Sequence, residues 1–154
     1  TALANGQGAA QVQNQGYDPS KTGPEDPTNP GKPLFQNPIV KQASDEAFMK
    51  TANGTERGGL AEAGFAIDYK DGKISVTNKV DTVHSQGKPN KMPIQTNGVD
   101  TIAIFHTHGN NSSPTPSTED QMSPVANFVR SRSALYVTVP GTPTYIQLTP
   151  APKK

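Results

Sequence analysis

A chain of 154 residues is long enough for one domain with a core, but it is only 31% hydrophobic and carries 14 Gly and 15 Pro, so part of it is expected to lie outside that core. A formal net charge of +1 with scattered Lys and Arg leaves no basic footprint for nucleic acid or a membrane surface, and no stretch is apolar enough to span a bilayer. The absence of cysteine excludes a disulfide framework, a thiolate nucleophile and thiolate zinc ligands, and with them cysteine proteases and the zinc deaminases.

Residues 1–33 are rich in Gly, Gln, Asn and Pro, as in Gly23-Pro-Glu-Asp-Pro-Thr-Asn-Pro-Gly-Lys-Pro33, and read as a flexible linker or tail or as a loosely packed arm. The start at Thr1, with no basic and apolar leader pattern, reads as a processed or excised piece whose compartment is open. An arm would dock through Leu34, Phe35, Ile39 and Val40, so the folded domain is expected over residues 34–150.

Ser44-Asp-Glu begins a short helix as N-cap and acidic first turn, with Phe48/Met49 as its apolar patch and Asn53-Gly54 as its stop. Residues 59–69 and 73–78 read as two strands joined through Asp71-Gly72, a strong hairpin signal. Residues 84–98 are polar and turn-rich, and Val99–Phe105 is an apolar run suited to a buried central strand. Ser117 is placed to cap a helix with Asp120 at the capping-box position, and helix is expected onward to about Arg130, restarted or kinked at Ser123-Pro124. Ala134–Val139 and Thr144–Leu148 close the chain as a hairpin. The order helix, hairpin, strand, helix, hairpin predicts an α/β (α+β) fold, a small mixed β-sheet flanked by helices.

Chemistry concentrates where the central strand ends. On a strand, residues two apart share a face, so His106 and His108 can address one metal ion, and Asp120 can supply a third ligand. Three N and O donors with a fourth position open to water are what a catalytic zinc site requires. An isolated His-x-His at a strand end is more often a pair of solvated polar residues, and Ser117 with Asp120 also makes sense as a plain helix cap; the two together at this spacing favour metal. A carboxylate is needed to move the proton of the attacking water, and Glu56, in Glu56-Arg-Gly-Gly59, is the first candidate, with Glu62 as the alternative. His84, Arg57, Arg130, Arg132, Tyr136 and Tyr145 read more simply as surface or packing residues.

The string His106-Thr-His108, a Ser/Pro-containing loop, Pro116-Ser117-x-x-Asp120 and an upstream Glu before Gly-Gly resembles the JAB/MPN (JAMM) metalloprotease superfamily, with RadC-like and polymorphic-toxin C-terminal domains as the most similar branches. The resemblance covers roughly residues 54–149. It departs from the usual pattern in a loop one residue longer between His108 and Ser117 and in Gly109 where Pro is common. It implies a JAB/MPN-like (cytidine-deaminase-like) fold, Zn2+ held by His106, His108 and Asp120, Glu56 as general acid/base, and Ser117 helping to hold the oxyanion. The implied activity is a zinc metallopeptidase acting on an amide or isopeptide bond in a peptide or protein substrate, with no nucleic-acid or membrane partner. Two other readings stay open: a catalytically inactive JAB-like interaction or structural module, and an effector or toxin domain of a larger secreted bacterial polypeptide, with an immunity partner. The loops at 84–98 and 109–116 would govern substrate choice, and their composition carries no recognisable code.

Overall fold

The computed structural model describes residues 16–52, 62–81, 93–108, 114–132, 134–141 and 144–149. They form a mixed α+β arrangement built on one six-stranded sheet that contains both parallel and antiparallel pairs. The strands are β1 (Ala63–Lys70), β2 (Lys73–Asp81), β3 (Thr101–Thr107), β4 (Ala126–Arg130), β5 (Leu135–Thr138) and β6 (Tyr145–Thr149), in the order β2-β1-β3-β4-β5-β6.

Three helices accompany the sheet among the described residues: α1 (Pro19–Thr22), α2 (Pro38–Ala52) and α3 (Thr118–Gln121). The long helix begins six residues before the expected N-cap, Ser44. Pro38 has its φ preset for a first helical turn, and Asn37 Oδ1 accepts from the Ile39 amide at 2.9 Å. The helix therefore gains Val40, Ala43, Ser44 and Ala47 as one buried stripe at helical spacing, and Ser44 is an interior residue rather than a cap.

The hairpin forms at Asp71-Gly72, where both residues take left-handed φ values of 52° and 77°, the signature of a tight turn that matches strand twist. The expectation of helix up to Arg130 is corrected: α3 stops at Gln121, and Ala126–Arg130 is a strand parallel to β3. Pro124 cannot continue a helix. Beyond it, Ala126 and Phe128 alternate with Asn127 and Val129, so each set serves a different face of the sheet.

Register turns this alternation into two layers. Phe65, Phe105, Phe128, Val137 and Ile146 form one row across five strands, facing α2. Phe65 and Phe105 stack with centroids 4.8 Å apart, and Phe35 lies 5.3 Å from Phe128. Phe65, Phe105, Phe128, Leu34 and Ile67 are the largest fully buried side chains, each worth ~1.5–3 kcal/mol against exposure. On the opposite face the adjoining rows are Gly64, His106, Val129, Tyr136 and Gln147, and Ala66, Ile104, Asn127, Thr138 and Tyr145.

Of the 1–33 segment, residues 16–33 are described, and they lie on the α2 side of the sheet. Tyr17 donates its hydroxyl to the Gly23 carbonyl at 2.9 Å, and Asp26 is buried, accepting from Thr28 and Asn37. Gly23, at φ +80°, is pressed so close that a Cβ would lie 3.2 Å from Val137 Cγ1. Arg130 is likewise more than a surface charge. Its guanidinium donates to Ser44 Oγ and Asp45 Oδ1 at 2.8 and 2.7 Å and lies 4.3 Å from the Phe48 ring centroid, tying β4 to α2.

Candidate metal centre

Two elements deliver the side chains. His106 is the penultimate residue of β3, flanked by β1 on one side and β4 on the other, and only 8% exposed. His108 lies just past the strand, where its amide donates to the Arg130 carbonyl at 2.9 Å and extends the parallel ladder by one step. The two imidazoles share a face, with ring centroids 5.0 Å apart, while Thr107 between them points to the other face and accepts from the Ala63 amide at 3.0 Å.

The third donor arrives from the crossover between β3 and β4. Ser117 Oγ accepts from the Asp120 amide at 3.0 Å and Asp120 Oδ2 accepts from the Ser117 amide at 2.9 Å, a reciprocal capping box that sets the carboxylate before any ligand is considered. From there Asp120 Oδ1 lies 3.3 Å from His106 Nε2 and Oδ2 lies 3.3 Å from His108 Nε2. The two Nε2 atoms are 3.1 Å apart.

These separations have a simple geometric meaning. Ligand atoms at zinc bond lengths on a tetrahedron are ~3.3 Å from one another, and each of these contacts is of that order; one donor atom from each of the three residues lies within 4.8 Å of the other two, close enough to address a single ion with room for a further ligand. Two imidazole nitrogens and a carboxylate this close repel one another unless a proton or a metal ion lies between them. The donor set, two imidazoles and one carboxylate, suits zinc. Burial alone would raise the Asp120 carboxyl. Hydrogen bonds with both histidines, the charge of His106 and the Ser117 amide outweigh burial and hold it well below the usual carboxylate range. These contacts favour the ionised form of Asp120.

Glu56 lies outside the described residues, as do Arg57 and His84. Glu62 is described, half-buried, one residue before β1. Gly64, two residues on, is the antiparallel register partner of His106, and Glu62 lies near enough to His106, His108 and Asp120 to feel the charge of all three. Burial raises the Glu62 carboxyl above its ordinary value. The charge of Asp120 adds to that rise, and His106 and His108 pull against it.

Ser117 is exposed, at the cap of α3. Tyr136 and Tyr145 pack edge to face with centroids 5.2 Å apart on the site-bearing face, in the row of His106 and the row beside it. Gly64 is required locally: a Cβ there would lie 2.6 Å from the Phe105 carbonyl, 2.8 Å from Ile94 Cδ1 and 3.1 Å from His106 Cβ. Two residues that the sequence reading passed over also reach the site. Asn127 touches His106 and the Asp120 carbonyl, and Thr138 Oγ1 donates to that carbonyl at 3.3 Å. Only a parallel β4 next to β3 brings them there, and a helix over the same residues hides that neighbourhood. No family model, no curated protein and no solved structure matches this chain.

Proposed function

We propose that the chain is a zinc-dependent metallopeptidase of the JAB/MPN (JAMM) type, hydrolysing an amide or isopeptide bond in a peptide or protein. The observation that carries this reading is the convergence of two imidazoles and one carboxylate: the two Nε2 atoms are 3.1 Å apart and each lies 3.3 Å from one oxygen of the Asp120 carboxylate, contacts of the length found between neighbouring ligands of one zinc ion. A JAB/MPN-like fold is supported by the histidine pair at the end of the central strand and by the Ser-x-x-Asp turn in the crossover to a parallel neighbour.

His106, His108 and Asp120 would hold the ion, their Nε2 and carboxylate oxygens converging from β3 and α3. Zinc held there supplies a Lewis acid for the scissile carbonyl and lowers the pKa of a bound water to about 7. Glu62 is the acid/base in this reading: its carboxylate takes the proton of the attacking water and returns it to the departing amine. Partial burial suits it to that exchange, because a carboxyl raised above its ordinary value is a stronger base when ionised and remains an adequate acid once protonated. Ser117 accepts the Asp120 amide at Oγ, which leaves its own hydroxyl proton available for the oxyanion of the tetrahedral stage.

Metal content by mass spectrometry, for the wild type beside His106→Ala/His108→Ala, tests the reading. About one zinc per chain is expected in the wild type and none in the double variant. Wild-type protein that takes up no metal under zinc-replete conditions would overturn it and favour an interaction module instead.

A further inference from the structure

We infer that Asn127 is the positioning residue of the site: one amide that fixes the tautomer of His106 and, through the Asp120 carbonyl, the turn that carries the third ligand. The inference rests on the metal reading above for its consequence, but its geometry is independent of any ion. Asn127 is 3% exposed on β4, one strand away from His106. Its Oδ1 lies 3.1 Å from His106 Nδ1, and its Nδ2 lies 3.3 Å from the Asp120 carbonyl oxygen.

The orientation of the amide follows from what each neighbour can offer. A backbone carbonyl only accepts, so the NH2 end must face Asp120 and the oxygen end must face His106. An amide oxygen also only accepts, so His106 must donate from Nδ1. With Nδ1 committed to Asn127, Nε2 is the ring nitrogen turned to the ligand site, 3.3 Å from Asp120 Oδ1 and 3.1 Å from His108 Nε2. A single side chain thus links a ligand on β3 to a ligand on α3. Thr138 Oγ1, reaching the same carbonyl from β5 at 3.3 Å, supports the arrangement without touching the imidazole. Partners of this kind orient metal-binding imidazoles, and their loss costs on the order of 10–100-fold in metal affinity.

The test reads the tautomer and the affinity separately in the full chain. Long-range 1H–15N spectra of metal-free protein should show a proton held on His106 Nδ1, and Asn127→Leu should lose that preference and bind zinc ~10–100-fold more weakly in a chelator competition. Asn127→Asp keeps the acceptor for His106 and loses the donor to Asp120, so it should retain the tautomer with an affinity between the two. Wild-type His106 with no proton on Nδ1, or Asn127→Leu with both readouts unchanged, would overturn the inference. If Asn127→Leu does not fold, the wild-type tautomer and Asn127→Asp still decide it. Wild-type protein without zinc affinity sinks the metallopeptidase reading alone, while the tautomer spectra continue to decide the role of Asn127.

Discussion

At the scale of single residues, the choice between Glu56 and Glu62 decides where the proton goes. Glu62 lies two residues before Gly64, the register partner of His106, and burial raises its carboxyl against the pull of His106 and His108. Glu62→Gln is expected to leave zinc stoichiometry unchanged and to lower kcat on a peptide identified by library screening by about 10²–10⁴-fold, the usual contribution of a positioned acid/base. Glu56→Gln should stay within a few-fold of wild type; the reverse pattern would move the role to Glu56. The pH profile adds an independent reading. Only ionised Glu62 can accept a proton, so activity should rise as pH rises through its pKa, which burial pushes up and the flanking imidazoles pull down.

At the scale of elements, the site depends on how closely β1 approaches β3, and Gly64 governs that approach. A methyl group there meets the Phe105 carbonyl at 2.6 Å and Ile94 Cδ1 at 2.8 Å, so Gly64→Ala must push the strands apart and also displace Ile94. Overpacking of this kind costs ~1–3 kcal/mol, and here it also shifts His106, the register partner of Gly64. A lowered thermal midpoint together with weakened zinc binding is the expected outcome. An unchanged midpoint would show that the strands yield more easily than their spacing implies. Local chemistry explains which elements could be read from sequence. Asp71-Gly72 dictates its own turn, and Ser117 with Asp120 builds its box within four residues, so both were visible without the fold. Asn37-Pro38 is an equally local start signal for α2, and Ser44, expected as the cap, instead accepts at its hydroxyl from Arg130 across a distance no sequence pattern reveals. β4 was misread because its five residues are too few for periodicity to outweigh the cap before them, and Asn127 could not be found until β4 was placed beside β3.

At the scale of the whole molecule, the donors gather what the chain keeps apart. His106 and His108 belong to the central strand and Asp120 to the crossover; that crossover leads into β4, which α2 holds through Arg130. An ion gripping both sides is bound only when all of this is folded, so binding free energy becomes folding free energy. With free zinc at about 100 times its dissociation constant, the linkage is ~2.7 kcal/mol. For a chain of this size that is roughly 5–10 °C in thermal midpoint. Calorimetry with and without a chelator should show that difference in the wild type and none in His106→Ala/His108→Ala. The difference should also shrink as the solution is acidified, because imidazole ligands must shed their protons to bind metal, so protons compete directly with zinc. Asp120 does not share in this decline until far stronger acid, since its carboxyl is held well below the usual range. A chelator effect of equal size in wild type and double variant would place the stabilising ion elsewhere on the chain, and an effect that grew with acid would be incompatible with imidazole ligation.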